Sequence, residues 1–371
     1  MWAKLPNWRG APDDNVQSSR VGGAGAQASP GPPHRANNFD ALRLVAALLV
    51  IWSHQFALMG DAPPLIFSNE PGALGVVLFF GISGYLVTQS WVADPNVLRF
   101  ALRRALRIWP GLTVLVLLSV FVLGPWLTEL PLAEYFGHPA TRQHLLNLVL
   151  DTHISLPGIF ASSPHPGSLN GPLWTIPLEV GCYVALALMG WLGLMRWRWY
   201  PLFVFAALAA VLQWRYTASP LSEWSFALQY AIIFALGSAL ARWDAVWRPH
   251  PWITAALVLV ACGLLYLYGP APLNGQSPLF ALAALGVVWG ACCTPGVARV
   301  GHFGDFSYGL YIYGFPAQQI IIWVFANQLS FPVALALSVA SALLLAAVSW
   351  HAVEKQALRW KPRRPPTPQQ S

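Results

Sequence analysis

The sequence predicts an all-α membrane protein, a polytopic bundle of about ten transmembrane helices. Hydrophobic residues make up 56% of the 371 positions, whereas charged residues make up only 9%. A soluble domain normally has about a quarter of its residues charged, so this chain has too few charges to cover a globular surface. The other two observations are a series of apolar runs long enough to cross a bilayer and the placement of basic residues between them.

Ten apolar runs of span length follow one another, the fifth of them short. They lie at about 40–59, 72–91, 109–127, 174–194, 200–213, 225–241, 252–268, 278–293, 306–326 and 332–351. The longest connection, 128–172, contains four of the nine histidines, at spacings that are weak evidence for a metal site. We therefore predict a solvated loop there and no metal centre.

Lysine and arginine fall mainly in alternate connections. If the N-terminus is cytoplasmic, 18 of the 21 lie on the cytoplasmic side, with Arg142 and Arg215 outside and Arg43 within the first run. This bias predicts a multi-pass protein of the plasma (inner) membrane with both termini in the cytoplasm. Since the basic residues do not line one groove, the net charge of +7 does not indicate a nucleic-acid partner.

The two ends of the chain differ from its apolar body. Residues 1–38 are rich in Gly, Pro, Ala and Ser and contain no long apolar core, which predicts a disordered cytoplasmic tail. Residues 39–360 form the transmembrane domain, and 361–371 form a basic, polar cytoplasmic tail. The four cysteines lie in or beside apolar runs and are interpreted as packing residues.

The first run carries Arg43 near its start and His54 near its end. Eleven residues turn a helix by roughly three full turns, so the two side chains share one face, about 16 Å apart along the axis. Such a stripe is costly in lipid unless it faces protein or water, which favours a functional site. The alternative is an arginine that reaches the lipid surface and a histidine buried by packing.

Glu179 lies in the fourth run, two residues after Pro177, which is expected to bend the helix. The predicted orientation puts His54 and Glu179 at similar depth, in the outer third of the bilayer. We expect the two side chains to meet, because each offsets the desolvation of the other. The pair is either a general base with its orienting carboxylate or a structural contact.

Arg103, Arg104 and Arg107 precede the third run, and Pro110 is expected to redirect the chain after them. Guanidinium groups match the oxygens of phosphate, so these residues indicate a phosphate site, although orientation signals alone would also explain them. A phosphorylated donor in the cytoplasm and a base near the outer surface would imply transfer across the bilayer.

Other polar residues lie in the second and ninth runs. Ser83 stands between glycines and is interpreted as a packing or hydrogen-bonding residue, because no G-x-S-x-G nucleophile motif is present. Tyr308 and Tyr311 share a helical face at the start of the ninth run, where they either line a tunnel or belong to the interfacial aromatic belt.

Six stretches together resemble the acyltransferase-3 family of membrane-bound O-acyltransferases. They are, in order, DALRLVAALLVIWSH, LFFGISGYL, RRALRIWP, LWTIPLEVGCY, FSYGLYIYGFP and WHAVEKQALRW. The resemblance implies transfer of an acyl group, expected to be acetyl, from cytoplasmic acyl-CoA to a hydroxyl of a glycan, lipid or small molecule outside. Acyl-CoA is then a co-substrate, with no permanently bound cofactor.

The resemblance also implies roles for particular residues. These are His54, Glu179 and Arg43 in catalysis and Arg103, Arg104 and Arg107 in coenzyme binding. We further expect Tyr308 and Tyr311 to take part in coenzyme binding, and Asp40, Ser83 and Trp174 in substrate binding or structure. Many members carry a histidine after the tyrosines of the late run, where this chain has Gly314. The alternatives are a transporter or exporter with a polar path past Arg43, His54 and Glu179, and a non-catalytic scaffold for polysaccharide synthesis.

Overall fold

A computed structural model describes residues 37–218 and 223–362 of the chain. All but the last two residues of the predicted N-terminal tail lie outside these ranges, and so does the predicted C-terminal tail from residue 363 onwards.

Ten long helices make up most of the described residues, and each corresponds in order to one of the ten apolar runs. They are α1 (Phe39–Met59), α2 (Pro71–Ala93), α3 (Val97–Leu118), α4 (Thr175–Trp191), α5 (Tyr200–Ala218), α6 (Glu223–Arg242), α7 (Pro251–Tyr268), α8 (Leu273–Ala291), α9 (Ser307–Val324) and α10 (Phe331–Ser349). A π-helical turn and a short helix prolong α3 through Ser119–Leu123 and Gly124–Leu127, and α10 through Trp350–Glu354 and Lys355–Leu358. The prediction of an all-α bundle is confirmed.

Seven of the described helices are long and apolar enough to cross a membrane: α1, α2, the prolonged α3, α4, α6, α7 and the prolonged α10. The other three long helices of the described residues, α5, α8 and α9, do not reach this combination of length and apolar composition. The chain is thus a multi-pass helical protein, and its crossing by about ten helices stays a prediction.

Helix α2 lies at the centre of the bundle, between α1, α6 and α8. Its contact with α6 is a contact of backbones. A Cβ on Gly84 would lie 2.1 Å from the carbonyl oxygen of Phe234, and a Cβ on Gly237 would lie 2.2 Å from that of Gly81. Glycine at these positions permits the close approach that drives helix association in lipid, where burial of apolar surface adds little.

Helix α3 begins twelve residues before the predicted third run, because polar groups secure its start. The side chain of Asn96 accepts a hydrogen bond from the backbone N–H of Arg99 at 2.9 Å. The buried carboxylate of Asp94 binds the guanidinium groups of Arg99 and Arg103. The expectation that Pro110 redirects the chain is wrong, because α3 continues through it.

Pro177 lies in the first turn of α4 and not in the helix interior. A proline there leaves no broken hydrogen bond, because the first N–H groups of a helix have no intrahelical partner in any case. Pro177 therefore gives no reason for the expected bend of α4 beside Glu179.

Residues 128–170 form a folded cap at one end of α3 and α9. The cap contains the helices Leu132–Gly137 and Pro139–His144. Tyr135 is fully buried and donates a hydrogen bond to the carbonyl oxygen of Val120 at 3.0 Å. His144 is also buried, and burial lowers its pKa to about 4. The prediction of a solvated loop is therefore wrong for the core of the cap.

We predict that Gly84→Ala destabilises the protein by about 1–3 kcal/mol, the usual range for overpacking, because the added methyl group would force α2 away from α6. Thermal unfolding of the purified protein in detergent measures the effect. Gly263→Ala in α7 is the control, since a Cβ there meets nothing within 4 Å. Equal melting temperatures for the two variants would contradict the backbone contact.

Candidate functional site

Asp305 forms the centre of a charged cluster that joins three helices. It stands two residues before α9, forms an ion pair with Arg107 of α3 at 2.6 Å, and accepts a hydrogen bond from the hydroxyl of Ser307 at 2.6 Å. Arg43 of α1 lies 3.8 Å from the same carboxylate. Burial alone would raise the pKa of Asp305, but the charges of Arg107 and Arg43 outweigh it and hold the pKa at about 2. The carboxylate is ionised at any physiological pH.

Arg43 faces protein and not lipid. Its guanidinium lies 3.5 Å from the carboxylate of Asp40, one turn earlier in α1, and near Asp305. The two predicted residues of α1 thus belong to the charged cluster. This geometry disagrees with the interpretation of Arg43 as a side chain that only reaches for the lipid surface.

Tyr308 and Glu354 complete the cluster. The guanidinium of Arg107 lies over the ring of Tyr308, 5.6 Å from its centre, and the Tyr308 hydroxyl donates to the carbonyl oxygen of Ile108 at 2.7 Å. Glu354, at the end of the prolonged α10, is buried and accepts from Ser349 at 2.8 Å. Its second oxygen has no hydrogen-bond partner among the described residues. Sequence reasoning missed Asp305 and Glu354, although a lone acidic residue beside an apolar run was a usable signal.

The three arginines predicted to bind phosphate have different surroundings. Arg103 is bound to Asp94, and Arg107 is bound to Asp305. Arg104 has no carboxylate partner in the described chain; it lies over the rings of Phe100 and Tyr183, at 6.0 and 5.8 Å. Its buried Nε atom makes no hydrogen bond to any described residue. Arg104 is therefore the guanidinium of this set that remains available to an anion.

Lys361 adds a further positive charge, which the sequence interpretation had assigned to the tail. Burial, together with the charges of Arg107 and Arg104, lowers the pKa of Lys361 to about 8. The following residue, Pro362, accepts a hydrogen bond from Arg103 at 3.5 Å. The end of the described chain thus lies beside the arginines of α3.

Glu179 binds Ser83 and Tyr183, not His54. The hydroxyl of Ser83 donates to its carboxylate at 2.7 Å, and the hydroxyl of Tyr183, one turn further along α4, donates to the same oxygen. No hydrogen bond or ion pair joins His54 to Glu179, both of which the structure describes. The predicted contact is wrong, because equal depth in a bilayer does not determine which neighbour a helical side chain faces.

His54 packs against α9. Its half-buried ring meets that of Phe315 edge-on, with 5.3 Å between the ring centres. One residue before Phe315, a Cβ on Gly314 would lie 2.7 Å from the side chain of Ile51. Glycine at the position of the common late histidine thus allows α9 to approach α1 closely.

Buried amide side chains lie on the helices beside His54. Gln318 donates to the carbonyl oxygen of Ile51 at 2.8 Å and to the side chain of Gln55 at 2.9 Å. Gln319 donates to the carbonyl oxygens of His165 and Ser168, which fastens the cap to α9. Several amide atoms make no hydrogen bond within the described chain, namely Gln55 Nε2, Gln318 Oε1, Gln319 Oε1 and Asn170 Oδ1. Sequence reasoning did not use the adjacent glutamines Gln318 and Gln319, although two amides inside an apolar run indicate buried polar contacts.

Tyr311 and Trp174 lie apart from the charged cluster. The hydroxyl of Tyr311 lies 2.6 Å from that of Thr175 and donates to the carbonyl oxygen of Pro172 at 3.0 Å, which joins α9 to the start of α4. Trp174 is exposed and contacts the ring of Tyr230. These contacts give Tyr311 neighbours different from those of Tyr308, although the two share a helical face.

Comparisons with known proteins extend over nearly the whole body of the chain. The family model described as "Acyltransferase domain" matches residues 37–351. The chain is 31% identical over 330 residues to an "O-acetyl transferase" of Shigella phage Sf6, covering 88% of this chain and 97% of that protein. It is also 31% identical over 169 residues to "Nodulation protein 10" of Rhizobium leguminosarum bv. viciae, covering 42% and 44% of the two chains. No solved structure gives a significant match.

The family match covers well over half of the chain, and the phage relative aligns along almost its full length. The all-helical fold agrees with both, and the resemblance seen in the six sequence stretches is confirmed. The chain therefore belongs to the acyltransferase-3 family and is a multi-pass membrane acyltransferase.

Proposed function

We propose that this protein is an acyl-CoA-dependent O-acyltransferase of the plasma (inner) membrane, with both termini in the cytoplasm. It moves an acyl group, first of all acetyl, from cytoplasmic acyl-CoA to a hydroxyl of a glycan, lipid or small molecule at the outer side. The observation that carries the proposal is a cationic cluster, with the unpartnered guanidinium of Arg104, at the end of α1 opposite to His54.

The charge pattern of this cluster supports a donor with several phosphates. Arg104 and Lys361 have no ion pair with a carboxylate in the described chain, and Arg107 shares Asp305 with Arg43. Guanidinium groups bind phosphate oxygens through pairs of charge-assisted hydrogen bonds. Phosphates that enter the cluster meet Arg104 directly and compete with Asp305 for Arg107.

In the chemical step, the acceptor hydroxyl attacks the carbonyl carbon of the thioester. The new C–O bond forms, the C–S bond breaks, and coenzyme A leaves as the thiol. His54 takes the proton of the hydroxyl and returns it to the departing sulfur, or it carries the acyl group transiently itself. The thioester end of the donor must then reach along α1 from Arg43 to His54, about 16 Å in a helix.

The acceptor is expected on the side of the cap. Unpartnered amide atoms of Gln55, Gln318 and Asn170 are suited to hydroxyl groups, which both donate and accept hydrogen bonds. The name of the phage relative, O-acetyl transferase, supports acetyl as the group and oxygen as its destination.

Radiolabelled acetyl-CoA tests the proposal with protein in liposomes. We expect label to move from the coenzyme to an acceptor, identified by the mass difference between envelope glycans and metabolites made with and without the protein. A transporter or a scaffold would move no label to a hydroxyl, and that result would overturn the proposal.

We predict that His54→Ala lowers kcat at least about 100-fold, the usual contribution of a positioned proton-transfer group. The melting temperature should stay nearly unchanged, because His54 is half-buried and its main contact is the ring of Phe315. His250→Ala, at an exposed position before α7, is the control and should keep full activity. Full activity of His54→Ala would remove this imidazole from the mechanism.

We predict that Arg104→Gln raises the KM for acyl-CoA by about 10- to 100-fold, as the loss of a charge-assisted hydrogen bond of about 1.5–3 kcal/mol would. The KM for the acceptor should not change. Arg142→Gln makes the same change of charge in the exposed part of the cap and serves as the control. An equal rise in both KM values would assign Arg104 to packing alone.

We predict that Glu179→Gln lowers kcat about tenfold or more while the KM for acyl-CoA stays close to that of the wild type. The substitution removes the negative charge that Ser83 and Tyr183 donate to, and with it charge-assisted hydrogen bonds of about 1.5–3 kcal/mol each. Steady-state kinetics measures both constants, with Glu134→Gln in the cap as control. An unchanged kcat would leave Glu179 a structural role only.

A further inference from the structure

A surface crevice of ≈ 420 Å³ opens where α2, α4 and α6 end and α3 begins. It is lined by Trp91, Gly190, Trp191, Met195, Arg196 and Arg242, among others. We call it the basic crevice. It contains none of the residues assigned above to the donor or the acceptor, so it is separate from the proposed acyl-transfer site.

The floor of the basic crevice is built by close packing. A Cβ on Gly190 would lie only 2.1 Å from the indole ring of Trp91, so the ring rests directly on the backbone of α4. The ring of Phe100 also packs edge-on against Trp91, at 5.3 Å between ring centres. These contacts make the crevice a feature of the folded protein and not a gap between loosely placed side chains.

Two cations line the basic crevice without a carboxylate. Neither Arg196 nor Arg242 forms an ion pair within the part of the chain that the structure describes. The carboxylate next to the crevice in sequence, Asp94, is already bound to Arg99 and Arg103. The Nε atom of Arg242 is buried and has no hydrogen-bond partner among the described residues. A buried guanidinium N–H without a partner is costly, so an anion there would lower the free energy of the protein.

An apolar crevice adjoins the basic crevice at Met195, which lines both. This second crevice, of ≈ 90 Å³, lies between α4, α5 and α6, and its walls include Leu186, Val204, Leu208 and Phe234. A ligand that occupies both therefore needs an anionic group at one end and a hydrocarbon chain at the other.

The residues around the basic crevice indicate that such a ligand comes from the lipid bilayer. Trp191 at the rim is 71% exposed, and tryptophan at helix ends marks the level of lipid headgroups. At that level a phosphate lies next to the arginines while its acyl chain remains in the apolar layer. Basic pockets between membrane helices bind anionic headgroups by this charge complementarity.

We infer that the basic crevice binds one anionic phospholipid, with its phosphate between Arg196 and Arg242 and an acyl chain in the apolar crevice beyond Met195. The bound lipid supplies the negative charge that the protein lacks here and fills the space between α4, α5 and α6.

Native mass spectrometry of the full-length protein tests this inference. The probes are phosphatidylglycerol and phosphatidylcholine with identical acyl chains. The wild type should retain phosphatidylglycerol about tenfold or more over phosphatidylcholine, and Arg196→Gln combined with Arg242→Gln should bring the two lipids to parity. The control combines Arg142→Gln with Arg299→Gln, which removes the same charge elsewhere and should keep the preference. Equal retention of both lipids by the wild type, or an unchanged preference in the first double variant, would overturn the inference.

A second variant separates the chain from the headgroup. Met195→Trp should fill the place where the two crevices adjoin and reduce retention of phosphatidylglycerol severalfold, although both arginines remain. Unchanged retention would show that no chain lies there. Melting temperatures of all variants identify any that fail to fold. Addition of free coenzyme A should not displace the lipid. Displacement by coenzyme A that depends on Arg196 and Arg242 would assign the crevice to the acyl donor and overturn the lipid site.

Discussion

The ion pair between Asp305 and Arg107 is the interaction on which the arrangement of the site depends. Charged side chains carried by apolar helices must find partners inside the protein, since a single unpaired charge there costs several kcal/mol. Asp305 supplies one carboxylate to two arginines, Arg107 of α3 and Arg43 of α1, at the point where α9 begins. Three helices that are far apart in sequence are thereby held at one relative height.

Small residues make this arrangement possible. Gly84 and Gly237 bring the backbones of α2 and α6 into contact, and Gly314 brings α9 against α1. With α2 held in this way, Ser83 points at the carboxylate of Glu179 in α4. Glycines without a Cβ therefore let the helices pack closely enough for polar side chains such as Ser83 and Glu179 to meet.

Hydrophobic periodicity predicted the helices well, because apolar length is a local property of the chain. All ten runs correspond to helices of the described residues. Start positions were less predictable where polar residues make the cap. The segment that holds Arg99 and Arg103 lies before the predicted third run, but Asp94 and Asn96 make it the first turns of α3.

Contacts between distant residues could not be predicted from one sequence. The predicted pairing of His54 with Glu179 rested on depth alone, and the partners of Glu179 turned out to be Ser83 and Tyr183. The cap 128–170 looked solvated because its polar residues are numerous, yet Tyr135 and His144 are buried by long-range packing. The membership of Arg43 in a charged cluster was, in contrast, foreseeable from the cost of a lone arginine in an apolar helix.

The position of Asp305 between two arginines has a consequence for which anions the proposed donor site would favour. A small anion such as chloride offers only one charge and has to replace a carboxylate that is already in place at 2.6 Å from Arg107. It gains little by doing so. For the donor with several phosphates proposed above, one phosphate would bind Arg104 while another exchanges with Asp305. The internal carboxylate would then favour polyvalent over monovalent anions.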